Sequence, residues 1–246
     1  MKNAEAFACF PTGRHYPGIA HLLQLQVKGL LPEFAADANW FDLPIAMIDV
    51  ETTGRDPKTC RVIELGIVVG RGSDILARYN WLIHPQCPIP AETTAIHGIR
   101  DEDVADKPSF AELLNEIVPA LGIGIPAAYN AGFDRAFLQN EFARLDPQLV
   151  FERPAILNET EWLDPLIWAR ELHKSEESRA LGEVAKRLGV SLENAHRATD
   201  DAEAALRVLL AFGKDERVPK SYAALVQEQQ RLARRQEEAR RFWRRG

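Results

Sequence analysis

Two acids in one short stretch are the first residues of this sequence that could do chemistry. Asp49 and Glu51 follow the apolar run Ile45–Ile48, which has the bulky, β-branched character of a buried strand. Alternate side chains of a strand point to the same face, so both carboxylates face one way. Carboxylates this close repel each other unless a cation lies between them, and Mg²⁺ or Mn²⁺ prefers oxygen ligands. Taken alone, the pair fits a metal site and a solvated strand end equally well.

Two later stretches add acids near predicted helix starts. Asp134 follows a short predicted strand over 126–129, and Asp201 lies five residues after His196, in the first turn of a helix. An aspartate at a helix N-terminus also has a purely structural explanation, in capping and the helix dipole. His196 lies on a predicted loop rather than on an apolar face, which favours a functional role. Of the neighbouring Asp200 and Asp201, we expect one to cap the helix and one to face the site.

The elements that must position these side chains form an α/β pattern. Three strands joined by short turns predict an antiparallel meander, with Arg61–Gly70 and Ile75–Ile83 following the first strand. A short strand and several helices then alternate, which predicts a mixed sheet that gains parallel strands and is flanked by helices. The predicted helices cover Ala91–Ile96, a segment capped by Ser109 with Glu112, Phe133–Leu145, Trp162–Leu172, Ala180–Leu188, and a segment capped by Thr199 or Asp200 that ends at Phe212.

Composition limits the class of protein. The 246 residues are 46% hydrophobic and 27% charged, which suits one α/β domain with additional segments at its ends. The three cysteines, Cys9, Cys60 and Cys87, contain no CxxC pair, which argues against a disulfide framework or a zinc site and favours a reduced cytoplasmic compartment. We predict no secretory signal and no membrane span, because no apolar run approaches roughly 20 residues.

Charge is distributed unevenly along the chain. The net charge is -6, yet residues 214–246 carry ten Lys or Arg and five Asp or Glu, which leaves -11 for residues 1–213. An acidic body argues against a passive nucleic-acid coat. It suits an enzyme whose acids hold metal ions, since the ions supply the positive charge that a phosphate needs.

Three segments are predicted from these changes in texture. Residues 1–43 form an N-terminal helical extension, with an amphipathic helix over Ile19–Leu31 that packs on the domain or docks on a partner or a second copy. Residues 44–213 form the main domain. Residues 214–246 form a basic helical tail, either an exposed or frayed solvated helix or a contact for a partner or for a substrate backbone.

The acidic motifs resemble those of a known family and occur in the same order. The three patterns closely resemble the motifs of the DnaQ-like (DEDDh) 3′–5′ exonucleases: Asp49-x-Glu51, Asn130-x-x-Phe133-Asp134 and His196-x-x-x-x-Asp201. Thr52-Thr53-Gly54 and the Ala95–Ile99 stretch extend the resemblance, which covers about residues 44–212. It implies a ribonuclease-H-like fold, and nothing about either end of the chain.

The resemblance also implies roles for individual residues. Two Mg²⁺ or Mn²⁺ ions, roughly 4 Å apart, would be held by Asp49, Glu51, Asp134 and Asp201. Asp49 would bridge both ions, Glu51 and Asp201 would bind mainly the ion on the nucleophile side, and Asp134 would act on the other. His196 would be the general base, since its usual pKa near 6.5 suits proton removal at neutral pH. The implied substrate contacts are Thr52, Thr53, His97, Asn130 and Phe133, with Phe133 or Ile96 near the terminal base.

These roles predict hydrolysis of nucleic acid from a free 3′ hydroxyl end, releasing nucleoside 5′-monophosphates, in proofreading or repair. Single-stranded DNA is the favoured substrate, and an RNA-trimming exoribonuclease is the main alternative, because that choice depends on contacts to the 2′-OH. A non-catalytic binding module is a third reading, which the complete set of four acids and His196 argues against. A polymerase or a sliding clamp is the expected kind of protein partner.

Overall fold

The computed structural model describes residues 27–145, 159–192 and 196–243. Its sheet has four strands, in the order β3-β2-β1-β4: β1 (Ile45–Thr52), β2 (Val62–Arg71), β3 (Asp74–Leu82) and β4 (Ile125–Ala127). The first three form the predicted antiparallel meander, and β4 pairs with β1 in parallel. A bridge between Ala127 and Leu163 continues the parallel side. The predicted mixed sheet is therefore confirmed.

Eight α-helices surround the sheet in the described part of the chain. They are α1 (Ala91–His97), α2 (Asp101–Val104), α3 (Leu114–Leu121), α4 (Ala131–Ala143), α5 (Pro165–Leu172), α6 (Leu181–Arg187), α7 (Ala198–Phe212) and α8 (Tyr222–Trp243). Among the described residues, no helix combines the length and apolar character that a bilayer crossing needs.

The two central strands explain the long apolar runs of the sequence. Strands β1 and β2 have a neighbour on each side, and β2 is buried at every position except its last. Helix α7 packs on both of them. The edge strand β3 alternates between exposed and half-buried residues, as a strand with one solvated face does. The two central strands are thus largely buried, and the acids of β1 lie near the C-terminal end of that strand.

Two of the predicted helix caps are wrong. Helix α3 begins at Leu114, because the hydroxyl and the amide of Ser109 both donate to the Glu112 carboxylate, at 2.6 and 2.7 Å, and Phe110–Leu113 form a turn. Helix α7 is capped at Arg197, so neither Thr199 nor Asp200 is the N-cap. Both residues lie inside its first turn.

The two ends of the chain are partly described. In the predicted helix Ile19–Leu31, residues 27–30 include a turn, and the earlier part lies outside the described residues. Helix α8 is not exposed throughout, because Tyr222, Leu225, Val226 and Leu232 belong to the main core. The prediction of an exposed helix is therefore wrong for the first half of α8.

Candidate active site

The end of β1 presents two half-buried carboxylates on one side of the sheet. In the antiparallel register, Asp49 lies opposite Gly66 and Glu51 lies opposite Glu64. Paired residues of adjacent strands point to the same face. A methyl group added to Gly66 would lie only 2.4 Å from the backbone carbon of Ala198. The first turn of α7 therefore lies directly on this face, where it meets the acids of β1.

Helix α4 brings Asp134 to the same strand end. Strand β4 pairs only with Ile45–Met47, so the later amides of β1 need another partner on that side. The Asp134 Oδ1 atom accepts a hydrogen bond from the Val50 amide at 3.1 Å, and the residue is 2% exposed. The carboxylate is thereby fixed beside the Asp49–Glu51 pair rather than merely capping its own helix.

The start of α7 supplies the histidine and the fourth acid. His196 adopts a left-handed backbone with φ of 70°, and its amide donates to Asp201 Oδ2 at 3.2 Å. One ligand atom from each of Glu51, His196 and Asp201 lies within 4.8 Å of the other two. The other oxygen of Asp201 is buried and has no hydrogen-bond partner. A buried carboxylate oxygen without a partner is costly, and a cation would satisfy it.

Burial and mutual repulsion shift the titration of these acids. Burial, and then the nearby carboxylates of Asp134 and Asp201, raise the pKa of Asp49 well above its usual range. Burial, followed by Asp201 and Glu64, raises the pKa of Glu51 to about 8. Burial also raises the pKa values of Asp134 and Asp201. A set of carboxylates that resists ionisation when alone fits hard divalent cations, which favour the charged form of each acid.

An ion pair behind the acids holds the start of α7, and the sequence reasoning did not single it out. It joins the buried Glu64 carboxylate to the exposed Arg197 guanidinium. Glu64 is fully buried and accepts hydrogen bonds from the Arg197 guanidinium at 2.8 Å and from the Ala198 amide at 3.2 Å. The Asn80 side chain also donates to it, at 3.1 Å. The signal in the sequence was an acid within the otherwise apolar strand β2, on the same face as Gly66.

Comparison with known proteins follows the same region of the chain. The sequence profile described as "Exonuclease" matches residues 46–209, about two thirds of the chain. This chain belongs to the exonuclease family. The match confirms the family that the order of the acidic motifs predicted.

A relative and two solved structures show how far this exonuclease resembles known proteins. The DNA polymerase III PolC-type of Thermotoga maritima is 33% identical over 195 residues, which cover 79% of this chain and 14% of the relative. Exonuclease X in complex with 5′ overhanging duplex DNA has a TM-score of 0.56 at 22% identity, over 74% of this chain and 99% of the other. The nuclease domain of 3′hExo, a DEDDh family member bound to rAMP, gives 0.57 at 18% identity, over 73% and 95%. The ribonuclease-H-like fold is thus confirmed.

The structure brings three of the expected substrate residues together in the exonuclease, all of them buried. The Thr52 hydroxyl donates to the Gly54 carbonyl at 2.6 Å, and the Thr53 hydroxyl accepts from the Arg61 amide at 2.9 Å. His97 lies beside the Thr52 backbone, and its Nδ1 accepts from the Ile99 amide at 3.1 Å. Burial lowers the pKa of His97. Both threonine hydroxyls are therefore engaged in shaping the turn after β1.

The other expected substrate residues lie at the start of α4. Asn130 is exposed in a left-handed conformation, and its amide and that of Ala131 donate to the Asp164 carboxylate at 3.0 and 3.1 Å. Phe133 is half-buried against Phe137, with ring centroids 4.8 Å apart. Asp164 is a structural acid that joins α4 to α5, where it also caps the helix. Ile96, predicted near the terminal base, is 51% exposed on α1.

Proposed function

We propose that this exonuclease is a metal-dependent 3′–5′ enzyme that hydrolyses the terminal phosphodiester bond and releases nucleoside 5′-monophosphates. One observation carries the proposal: carboxylates from β1, α4 and α7 converge with His196, and Asp201 keeps one buried oxygen without a partner. An arrangement that raises the pKa values of four acids destabilises the empty site. It is readily explained if cations are part of the working enzyme.

The metal ligands in this proposal are Asp49, Glu51, Asp134 and Asp201, which together would hold two Mg²⁺ or Mn²⁺ ions. When bound, such ions supply an activated water and stabilise charge on the reacting phosphoryl group. The fit rests on the donor set, which consists of carboxylate oxygens alone, and on the unsatisfied Asp201 oxygen.

His196 acts as the general base in this proposal. The residue is exposed, so its ring can reach a water and a substrate end, and its backbone is fixed by the bond to Asp201. A neutral imidazole accepts a proton from the attacking water on a ring nitrogen. His196 has a left-handed backbone just before the N-cap of α7, and one of its ring nitrogens lies within 4.8 Å of carboxylate oxygens of Glu51 and Asp201.

We infer that DNA is the substrate and that the setting is proofreading or repair in the cytoplasm. The Thermotoga relative is a DNA polymerase by name, and Exonuclease X was solved with duplex DNA. These relations also favour a polymerase partner, and a sliding clamp remains part of the proposal. The rAMP bound to 3′hExo makes an RNA-trimming enzyme the second candidate.

A substrate panel tests the proposal. Strands labelled at the 5′ end (single-stranded, duplex and mismatched DNA beside matched RNA) are incubated with Mg²⁺, with excess chelator and with the Asp49→Ala variant. We expect a ladder that shortens from the 3′ end on single-stranded or mismatched DNA, and no ladder with chelator or with the variant. Full activity in either control would contradict the proposal. Faster digestion of RNA than of matched DNA would show that RNA, and not DNA, is the substrate.

A further inference from the structure

Helices α5 and α8 lie side by side and run in the same direction. The side chain of Gln229 bonds the Trp162 carbonyl and the Asp164 amide, each at 2.8 Å, at the start of α5. Seven residues later, the side chain of Gln236 donates to the Ile167 carbonyl at 2.9 Å. The pairing thus advances along both helices together. Residues one turn further on, in each helix, are therefore neighbours as well.

This pairing places two arginines next to each other. Arg240 lies one helical turn beyond Gln236, and Arg170 lies three residues beyond Ile167. The two guanidinium groups repel each other, and Arg240 contributes to a lowered pKa of Arg170 after burial. Neither arginine forms an ion pair or a hydrogen bond with any residue that the structure describes.

A third arginine approaches from the connection between α5 and α6. The Tyr129 hydroxyl donates to the Arg179 carbonyl at 2.5 Å, which ties this connection to the end of β4. Arg179 also repels the Arg170 guanidinium. Its Nε atom is buried without a partner, while its Nη atoms donate to the carbonyls of Glu177 and Lys174 at 3.5 and 2.6 Å. Three arginines from separate elements therefore converge on Arg170. Arg170 lies near Tyr129, which immediately precedes Asn130 and the helix that carries Asp134.

No described carboxylate forms an ion pair with any of these three arginines. Asp164 attracts the Arg170 guanidinium, but its carboxylate already accepts the amides of Asn130, Ala131 and Leu166. Other arginines of α8 are paired with acids instead: Arg231 with Glu228, Arg235 with Glu171 and Arg241 with Glu237. Among the described residues, these three guanidinium groups thus converge without a carboxylate paired to any of them, on a chain whose main body is acidic.

We propose that Arg170, Arg179 and Arg240 form a cationic surface that binds the backbone phosphates of the substrate strand, upstream of its 3′-terminal nucleotide. The inference rests on the proposed function. A guanidinium presents several N–H donors in a planar fork that matches a phosphate. Arg170 lies near Tyr129, which adjoins Asn130 at the start of the helix that carries Asp134, so the surface lies beside a residue that is close in sequence to one of the acids. The surface would also give the second half of α8 a role in holding substrate.

The test compares two cluster variants with a matched control. Arg170→Gln and Arg240→Gln each remove one charge from the surface, and Arg241→Gln removes a neighbouring charge that is paired with Glu237. Thermal melting first shows whether each variant is folded. Arg240 is exposed, so its substitution keeps the test valid even where Arg170→Gln is unstable.

Kinetics give the first readout. For a twelve-nucleotide strand we expect each cluster variant to raise KM about tenfold, as one lost charged hydrogen bond does, with little change in kcat. The advantage of that strand over a mononucleotide aryl ester, measured as the ratio of kcat/KM values, should fall by the same factor. Arg241→Gln should leave both quantities as in the wild type.

Binding gives a second readout that does not depend on catalysis. Anisotropy of a labelled strand is measured against salt in an Asp49→Asn background, which is expected to bind without cleaving. Each cluster variant should reduce the slope of log K against log salt by about 0.7, the contribution of one phosphate contact on a single strand. An unchanged slope in the cluster variants, or an equal reduction in Arg241→Gln, would contradict the proposal that this surface binds phosphates. If the wild type does not cleave the strand but the cluster variants still reduce the salt slope as expected, the proposed function is wrong and the phosphate-binding surface stands.

Discussion

At the scale of single residues, Asp49 has opposite effects on stability and on chemistry. Its carboxylate lies near those of Glu51, Asp134 and Asp201, and burial and these negative charges all disfavour its ionised form. We expect Asp49→Asn to raise the melting temperature in chelator, because it removes this repulsion. The same change should remove the melting-temperature increase that Mg²⁺ gives to the wild type.

The activity of Asp49→Asn should fall by roughly 10³-fold or more. Charge stabilisation by a bound metal is worth several kcal/mol, and each 1.36 kcal/mol is a factor of ten. Calorimetry with and without Mg²⁺, beside the oligonucleotide assay, measures both effects. A variant that is less stable than the wild type in chelator would show that Asp49 has a favourable partner in the empty site.

The raised pKa of Glu51 predicts how stability depends on pH. Its pKa is about 8 in the folded chain and 4.5 ordinarily, so the folded state holds a proton that the unfolded state has already lost. The stability from this proton is fully present below about pH 4.5 and is lost as pH rises through about 8. Melting temperature in chelator should fall across this window.

Two comparisons isolate this effect from other titrating groups. Glu51→Gln should flatten the fall in melting temperature, and Mg²⁺ should reverse it, because the ion binds the ionised carboxylates. Melting curves at pH 5.5, 6.5, 7.5 and 8.5 provide the measurement. Equal slopes for wild type and variant in chelator would show that Glu51 is not the group responsible.

The spacing of residue types predicted most of the side chains that meet at the site, but not their hydrogen-bond partners. The acids of β1, together with Asp134, His196 and Asp201, could be predicted because type, order and position at element ends all agreed. The partners of Thr52 and Thr53 could not, because their hydroxyls bond to atoms of the same turn, and any polar residue there fits the pattern. The role of Glu64 depends on contact with Arg197, which is 133 residues away.

At the scale of elements, the contact between Gly66 and α7 sets the position of two functional side chains. Gly66→Ala would place a methyl group 2.4 and 2.5 Å from backbone atoms of Ala198 and Thr199, so α7 must move. We expect a loss of roughly 1–3 kcal/mol in the free energy of unfolding, as overpacking costs, and a fall in kcat because His196 and Asp201 move with the helix.

A second glycine provides the control for Gly66. Gly182 lies in α6, and a methyl group added there meets nothing within 4 Å. Gly182→Ala should raise stability by about 0.5–1 kcal/mol, since alanine is the better helix former. Chemical denaturation and single-turnover rates measure the pair. Normal turnover in Gly66→Ala would mean that the start of α7 does not position the reacting groups.

The ion pair behind α7 should act on the same two side chains. Glu64→Gln weakens the bonds to Arg197 and to the Ala198 amide, and should cost about 2 kcal/mol of stability, as bonds to charged groups do. We expect kcat to fall roughly 10–100-fold, as when an outer residue that orients a metal ligand is lost, with a smaller change in KM. Titration of Mg²⁺ against activity should show weaker binding.

A matched variant separates positioning from simple destabilisation. Arg78→Gln breaks the exposed pair with Glu203 on the outer side of α7, which should cost less than about 1 kcal/mol and leave Mg²⁺ affinity unchanged. If Glu64→Gln and Arg78→Gln lower kcat and Mg²⁺ affinity equally, the ion pair of Glu64 with Arg197 does not orient the site.

Element starts were harder to predict than elements. Ser109 followed by Glu112 is a normal helix-start signal, but here both groups of Ser109 bond to that glutamate and the helix begins five residues later. Arg197 caps α7 although it has no side-chain cap bond, because Glu64 accepts the Ala198 amide from the neighbouring strand. Tertiary contacts replaced local capping in the second case, and local sequence does not report them.

At the scale of the whole molecule, helix α8 joins the domain to the segment before β1. The Tyr222 hydroxyl accepts the Leu31 amide at 3.2 Å, and the Trp40 indole donates to the Pro219 carbonyl at 2.8 Å. Gln229 is fully buried against the start of α5. The first half of α8 is therefore part of the folded core, although its basic composition predicted a separate tail.

Two truncations should separate the halves of α8. Removing residues 239–246 deletes Arg240 but none of the helix residues that the structure describes as buried, so the melting temperature should stay within a few degrees of the full chain. Removing residues 221–246 also deletes Tyr222, Leu225 and Leu232, and truncating even one such buried leucine costs 2–5 kcal/mol. Since the free energy of unfolding of a domain is only about 5–15 kcal/mol, the shorter chain should not fold stably.

Circular dichroism melts of both chains measure this difference, with Leu225→Ala in the full chain as an intermediate case. A cooperative melt of the shorter chain near the full-length temperature would show that α8 is dispensable for folding.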